Sequence, residues 1–189
     1  MRSDRGPAFA VWLTGLPASG KSTVARALAA GLARKGIRAA VLESDAVRRE
    51  ITPNAGFGVA ERDAFYATLS YLARMLALHG VPVIVDATAN RRAYRDRARA
   101  AIPRFLEAYV RCPLAVCQAR DPKGIYRRGA EGTARNVPGV SAPYEPPLMP
   151  EVVVDGERND PAVAARRIIA ALEARGFLAR GTGGKAKTG

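Results

Sequence analysis

The chain has 189 residues, 48% of them hydrophobic, and 30 Lys and Arg against 17 Asp and Glu give a formal net charge of +13. This length suits one well-buried domain and does not suggest a second. No apolar stretch approaches the roughly 20 residues that span a bilayer, and the first residues, MRSDRGPAFAVW, lack the features of a signal peptide. We therefore expect a cytoplasmic protein with no membrane partner.

The positive charge attracts polyanions in general, including nucleic acid and highly phosphorylated small molecules. Only 6% of the residues are aromatic, and the arginines are not interleaved with them, which speaks against a stacking platform for single-stranded nucleic acid. Cys112, Cys117 and the one histidine, His79, cannot assemble a zinc site. We expect both cysteines to be reduced and semi-buried.

Strand-like and helix-like segments alternate along the chain. Short apolar runs predict five strands, near residues 9–13, 38–42, 81–86, 105–110 and 151–154. Runs such as VPVIV are continuous rather than alternating, as is typical of parallel strands with both faces covered. The periodicity predicts helices over 60–79 and 160–176, the second with Asp160 as its N-cap. This order is typical of a three-layer α/β domain with a parallel sheet, in which ligands bind at the carboxyl ends of the strands.

The first predicted strand leads into GLPASGKST, residues 15–23, and a helix-like segment follows. The stretch fits the phosphate-binding pattern G-x-x-x-x-G-K-[ST], which requires this strand, loop and helix context. Its glycines let the backbone approach phosphates, whose oxygens accept hydrogen bonds from the loop and the helix N-terminus. Lys21 would reach the β- and γ-phosphates of ATP, and Ser22 would bind Mg²⁺. The predicted ATP-binding residues here are Gly15, Leu16, Pro17, Ala18, Ser19, Gly20, Lys21, Ser22 and Thr23.

Two carboxylates, Asp45 and Asp86, are predicted to close the second and third strands. A carboxylate there can order Mg²⁺ or accept a proton from an attacking hydroxyl, and the alternative for each is an N-cap. Arg48 and Arg62 follow in helical segments. They could hold an anionic acceptor through paired hydrogen bonds, and the alternative for each is a solvated surface position.

The segment RCPLAVCQARDPKGIYRRG, residues 111–129, carries Arg120, Lys123, Arg127 and Arg128. We interpret it as part of a mobile basic lid at about 118–145. Such a lid would neutralise charge on the transferring phosphoryl group and exclude water. The alternative is a helix with a solvated cationic face.

Several motifs, in this order, resemble the adenylylsulfate kinase family, which uses ATP to phosphorylate adenosine 5′-phosphosulfate at its 3′-hydroxyl. They are WLTGLPASGKST, ESDAVRRE, FGVAERD, CPLAVCQARDPKGIYRR and PGVSAPYEPPLMPEVVVD, and the resemblance covers nearly all of residues 8–175. It implies a P-loop kinase domain similar to the nucleoside monophosphate kinases. We place this domain at 8–178, between a short arm at 1–7 and a disordered Gly- and Lys-rich tail at 179–189. Members are often dimeric, so a homodimer is one expected assembly.

The resemblance also implies the site residues. Catalysis is expected from Lys21, Asp45, Asp86 and Arg120, and Mg²⁺ binding from Ser22 and Asp86. ATP is expected to contact residues 15–23 together with Arg120, Lys123 and Arg127. The acceptor is expected to contact Asp45, Arg48, Phe57, Arg62, Ala87, Thr88, Arg135 and Val137.

The chain departs from the family on the acceptor side. Where members have a serine that can be phosphorylated, Thr88 keeps only a hydroxyl. Where they have a phenylalanine that stacks on adenine, Val137 offers a shallow apolar contact. The segment VIVDATANRRAYRDRARA also resembles small P-loop kinases of the gluconate kinase type. Two alternatives follow: a kinase for another acceptor, such as gluconate or a nucleoside, and a P-loop nucleotide-binding module without small-molecule kinase activity.

Overall fold

The computed structural model describes residues 6–54, 56–158 and 160–178. The predicted tail at 179–189 and most of the predicted arm at 1–7 lie outside these residues. The strands are β1 (Ala10–Thr14), β2 (Ala40–Glu43), β3 (Val83–Asp86), β4 (Phe105–Arg111) and β5 (Val152–Asp155). The helices are α1 (Lys21–Ala33), α2 (Ser44–Ile51), α3 (Val59–Leu78), α4 (Arg92–Ala101), α5 (Leu114–Arg120), α6 (Ile125–Ala130) and α7 (Pro161–Ala174).

The strands form one parallel sheet in the order β2-β3-β1-β4-β5. β1 lies in the middle, where Ala10 is opposite both Val83 of β3 and Phe105 of β4. β2 and β3 therefore lie on one side of β1, and β4 and β5 lie on the other. In such sheets the crevice at this switch point, outside the carboxyl ends of the strands, is where ligands bind.

Helices cover both faces of the sheet. Successive side chains of a strand point to opposite faces, and β1 is buried throughout. Val11 and Leu13 pack in the core that α1 and α7 cover, whereas Ala10 and Trp12 pack in the core that α3 and α4 cover. The predicted three-layer α/β architecture with a parallel five-stranded sheet is confirmed.

The predicted element boundaries are largely confirmed. Each strand begins and ends within two residues of its predicted bounds. Helix α3 matches the prediction over 60–79, and α7 matches the one over 160–176, with Asp160 accepting a hydrogen bond from the Ala162 backbone N–H at 2.7 Å. Within the described ranges, no helix is both long enough and apolar enough to cross a bilayer.

The prediction that Asp45 closes the second strand is wrong. β2 ends at Glu43, and Asp45 lies in the first turn of α2, which begins directly at Ser44. An acidic residue in the first turn of a helix is favoured by the helix dipole, and Asp45 suits this position for that reason. Asp86, in contrast, is the last residue of β3, as predicted.

Candidate active site

The P-loop joins β1 to α1 at the middle of the sheet. Its first residue, Gly15, has φ 154°, and a Cβ atom there would come within 2.5 Å of the Val110 carbonyl oxygen. The loop can therefore take this path only with glycine at position 15. Helix α1 begins at Lys21, so the N–H groups of its first turn have no intrahelical partners and face the loop. Loop and helix N-terminus together form a ready site for anionic oxygens.

Lys21 folds back onto its own loop. Its ammonium group donates hydrogen bonds to the carbonyl oxygens of Gly15 at 3.1 Å and Leu16 at 2.8 Å. Burial lowers the pKa of Lys21, and the carboxylate of Asp86 opposes this shift. A phosphate group in the loop would supply a further counter-charge and so favour the charged ammonium group.

A pocket of about 640 Å³ opens above the P-loop. Its lining includes Lys21, Ser22, Thr23, Asp86 and Arg120. Hydroxyl and carboxylate oxygens such as those of Ser22 and Asp86 are hard ligands, which Mg²⁺ prefers together with the phosphate oxygens of a nucleotide. Within the described ranges, no three or more His, Cys, Asp or Glu residues cluster so that they could hold a metal ion.

A second pocket, of about 850 Å³, adjoins the first. Seven of the eight predicted acceptor residues line it, namely Asp45, Arg48, Phe57, Arg62, Thr88, Arg135 and Val137. Ala87 does not line this pocket, because it is only 1% exposed and lies in the hydrophobic core that α3 and α4 cover. The two pockets share six lining residues, namely Pro17, Ser44, Asp45, Thr88, Lys123 and Ile125. Two ligands bound in them would meet at this shared wall.

An ion pair stands at the junction of the two pockets. Lys123 Nζ lies 2.5 Å from Asp45 Oδ2, and the two side chains are 60% and 61% exposed. The hydrogen bond to Asp45 raises the pKa of Lys123. Lys123 belongs to the turn between α5 and α6, so the pair connects the lid to α2. Because exposed ion pairs contribute little to stability, a charged ligand can replace this contact easily.

Both arginines predicted to hold the acceptor are engaged by other groups at the second pocket. The Arg48 guanidinium carbon lies 4.1 Å from the centroid of the Phe65 ring. Arg62 donates hydrogen bonds to Asn90 Oδ1 at 3.3 Å and to the Asn136 carbonyl oxygen at 2.5 Å. Burial lowers the pKa of Arg62. The two side chains therefore bring positive charge to the pocket wall and are not simply solvated surface arginines.

The lid packs against the P-loop and against the turn after β5. Arg120 Nη1 donates to the Gly156 carbonyl oxygen at 2.7 Å, and the Tyr126 hydroxyl donates to the Pro17 carbonyl oxygen at 3.0 Å. Arg120 and Lys123 line the pocket above the P-loop. Arg127 lines neither of the two pockets and instead lies on a separate groove on the lid surface.

Sequence reasoning does not single out three residues that shape the second pocket: Tyr66, Asn90 and Arg95. The Asn90 side chain donates to the Pro143 carbonyl oxygen at 2.9 Å, and Tyr66 and Arg95 bond to the backbone of Ala89. Asn90 could have been found from its position four residues after the end of the third strand. Tyr66 and Arg95 occupy ordinary positions of helical segments and carry no local signal.

Comparison with known proteins gives a consistent family match. The model of a family described as adenylylsulphate kinase matches residues 7–155. A probable adenylyl-sulfate kinase of Archaeoglobus fulgidus is 41% identical over 152 residues, which cover 80% of this chain and 98% of the relative. An adenylyl-sulfate kinase of Gloeothece citriformis is 38% identical over 168 residues, which cover 89% of this chain and 96% of the relative.

Solved structures agree with these relatives. The Mycobacterium tuberculosis APS kinase CysC, in complex with AMPPNP and APS, superimposes with a TM-score of 0.84 at 33% identity, covering 89% of this chain and 99% of that one. A sugar kinase from Janibacter superimposes with a TM-score of 0.64 at 20% identity, covering 92% of this chain and 100% of that one. The second likeness shows a shared fold alone.

The turn after β5 should control ATP binding through its contact with the P-loop. A Cβ atom at Gly156 would lie 2.3 Å from the Ser19 carbonyl oxygen, so the Gly156→Ala substitution must displace the loop. We expect it to weaken ATP binding about tenfold, since overpacking costs about 1–3 kcal/mol. Titration calorimetry with ATP and Mg²⁺ measures this. Gly6→Ala is the control, because no atom lies within 4 Å of its added Cβ. Equal affinity of the Gly156→Ala variant and the wild type would contradict the prediction.

Proposed function

The chain belongs to the adenylylsulphate kinase family, and on that basis we propose that its two pockets hold ATP and adenosine 5′-phosphosulfate side by side. The chain is an ATP-dependent kinase that phosphorylates the 3′-hydroxyl of adenosine 5′-phosphosulfate to give 3′-phosphoadenosine 5′-phosphosulfate. The observation that carries the assignment of the pockets is their common wall. Asp45, Thr88 and Lys123 line both the P-loop pocket and the neighbouring one.

ATP belongs in the pocket above the P-loop. The Lys21 ammonium group has three N–H donors, and the carbonyl oxygens of Gly15 and Leu16, at 3.1 and 2.8 Å, use two of them. The third donor, or a rearranged side chain, would hold the γ-phosphate. Ser22 and Asp86 would hold Mg²⁺, which when bound supplies positive charge to the phosphate oxygens. Arg120 lines this pocket and is fixed by the Gly156 carbonyl oxygen, so it adds charge at a defined position.

The acceptor belongs in the adjoining pocket, whose chemistry matches an anionic nucleotide. Arg48 and Arg62 supply guanidinium groups for the phosphosulfate oxygens. Phe57 is 55% exposed and offers its ring to the adenine. Val137 is buried at the same pocket and gives an apolar contact without stacking. Phe57 is therefore the exposed aromatic ring that we assign to the base, in a pocket that Phe65 and Tyr66 also line.

Catalysis in this site would depend on positioning and charge. The transition state of phosphoryl transfer is loose, and its charge is spread over the transferring oxygens. Lys21 and Arg120 would stabilise that charge. Asp45 stands where the two ligands meet and would orient the 3′-hydroxyl and accept its proton once the ion pair with Lys123 has opened. The lid would exclude the water that could otherwise consume ATP.

We further propose that the kinase works in the cytoplasm as a homodimer. The two cysteines are unpaired and buried, which suits a reducing compartment. Tyr71, Met75 and Leu78 share one exposed face of α3 and would give a second copy an apolar surface. Light scattering tests the assembly, and a monomeric mass in solution would contradict the dimer.

ADP release is the direct test of the acceptor. With ATP and Mg²⁺ present, we expect adenosine 5′-phosphosulfate to stimulate ADP release, and gluconate, common nucleosides or no acceptor to leave it at the background rate. The product should be the 3′-phosphate, identified by mass spectrometry and by its sensitivity to a 3′-nucleotidase. Stimulation by gluconate or a nucleoside instead would assign the second pocket to another acceptor.

The roles of Lys21 and Asp45 can be separated by substitution. Lys21→Ala should lower kcat/KM by about 10²- to 10³-fold, because it removes a donor to the transferring phosphoryl group. Asp45→Asn should cost less than about 10²-fold, because a loose transition state needs little help from a general base. Steady-state kinetics measures both, with thermal unfolding as the control for folding. Equal losses in two well-folded variants would contradict this division of roles.

A further inference from the structure

Ala89 has an unusual backbone conformation beside the acceptor pocket. Its φ is +41°, in the left-handed region that a residue with a Cβ atom rarely adopts. Ala89 is completely buried and lies between Thr88, which lines both pockets, and Asn90, which lines the acceptor pocket. Such a conformation persists only where the surroundings hold it in place. The contacts of Ala89 show what holds it.

Both backbone polar groups of Ala89 are bonded to side chains from different helices. The Ala89 N–H donates to the Tyr66 hydroxyl oxygen, 2.9 Å away on α3. The Ala89 carbonyl oxygen accepts a hydrogen bond from Arg95 Nη1 on α4. The peptide groups of Ala89 are thus held from two sides, and neither contact is part of regular secondary structure. We call this arrangement of Tyr66, Ala89 and Arg95 the Ala89 clamp.

Arg95 is itself fixed by its surroundings. The side chain is 1% exposed, and its Nε donates to Glu107 Oε1 of β4 at 2.7 Å. Its Nη2 donates to the Glu145 carbonyl oxygen at 2.6 Å. The carboxylate of Glu107 balances the buried charge, so the guanidinium can act as a rigid connector between two loops. A charged group buried this deeply and bonded to two loop carbonyls is poorly explained by solubility or by surface charge.

We infer that Tyr66 and Arg95 are positioning residues, which hold Ala89 in its left-handed conformation and thereby set Thr88 and Asn90 against the acceptor. The inference rests on the proposed function of the second pocket. Asn90 Oδ1 accepts a hydrogen bond from Arg62 at 3.3 Å, so a shift of the Ala89 peptide also moves an arginine of the acceptor pocket. The P-loop is not part of the clamp, and on the ATP side the Thr88 carbonyl oxygen is held separately, by a hydrogen bond from the Thr14 hydroxyl at 2.8 Å. Loss of the clamp should therefore weaken the acceptor side and leave ATP binding unchanged.

The experiment compares Tyr66→Phe with the matched control Tyr94→Phe. The two rings are stacked with centroids 4.5 Å apart and both are buried, but only the Tyr66 hydroxyl belongs to the clamp. We expect Tyr66→Phe to raise the KM for adenosine 5′-phosphosulfate about five- to tenfold, the effect of losing one hydrogen bond, with the KM for ATP unchanged. Hydrogen exchange of the Ala89 amide, followed by NMR, should accelerate in the same variant. Tyr94→Phe should change neither quantity.

A second variant, Arg95→Lys, tests the other half of the clamp. Lysine keeps a positive charge beside Glu107 but lacks the planar fork that reaches two carbonyl oxygens. It should raise the KM for the acceptor and leave that for ATP within twofold of the wild type. The inference is overturned if both clamp variants keep the wild-type KM for the acceptor, if KM for ATP rises in parallel, or if Tyr94→Phe has the same effect.

The activity of the wild type distinguishes a failure of this inference from a failure of the proposed function. A wild-type chain that transfers no phosphate to adenosine 5′-phosphosulfate contradicts the proposed function, and the inference about the acceptor falls with it. An active wild type whose two clamp variants, Tyr66→Phe and Arg95→Lys, both keep the wild-type KM for the acceptor contradicts the inference alone. Amide exchange at Ala89 reports on the clamp in either case, because it requires no substrate.

Discussion

The Thr14 hydroxyl connects the three segments from which the site is built. It donates to the Thr88 carbonyl oxygen at 2.8 Å and lies 3.0 Å from the Tyr144 hydroxyl. Thr14 ends β1 and directly precedes the P-loop. The P-loop, the loop after β3 and the segment around Tyr144 therefore meet at one contact point, the buried Thr14 side chain. Breaking this contact would leave polar groups unpaired in a dry environment, which is costly. The fold itself therefore holds the P-loop and the loop after β3 at a fixed distance from each other.

The excess of basic residues serves two separate purposes. Arg95 and Arg99 form ion pairs with Glu107 at 2.7 and 3.1 Å, and Arg99 also pairs with Glu151 at 2.6 Å. These arginines fasten α4 to the sheet: Arg95 is buried, and the charge of the partly exposed Arg99 is balanced by the two carboxylates. The lysines and arginines at the two pockets instead face the place where two polyphosphate-like ligands would bring their charge together. A positive balance of this kind matches small anions, and it does not require nucleic acid.

The parts of the site that were predictable from the sequence are those whose requirements are local. The P-loop needs glycines and a lysine within nine residues, and Asp86 follows an apolar run, so both were placed correctly. The sequence predicts Asp45 at a strand end, but Asp45 lies in the first turn of α2. Strand β2 ends at Glu43 and α2 begins at Ser44, so no loop separates them and no turn signal marks the change. Tyr66 and Arg95 were missed because their roles arise from contacts 23 and 6 residues away in the chain, which only the packing of α3 and α4 creates.

The charged groups of the site have polar partners within the protein itself. Lys21 bonds to the carbonyl oxygens of its own loop, Lys123 pairs with Asp45, and Arg62 bonds to Asn90 and Asn136. Ligand binding therefore exchanges one set of polar contacts for another, and the net gain is smaller than the sum of the new contacts. These exchanges are also linked across the shared wall, since a ligand that displaces Lys123 leaves the Asp45 carboxylate open to the other ligand. The Lys123–Asp45 ion pair stands at the wall that the two pockets share, and an exposed pair of this kind is weak enough to open.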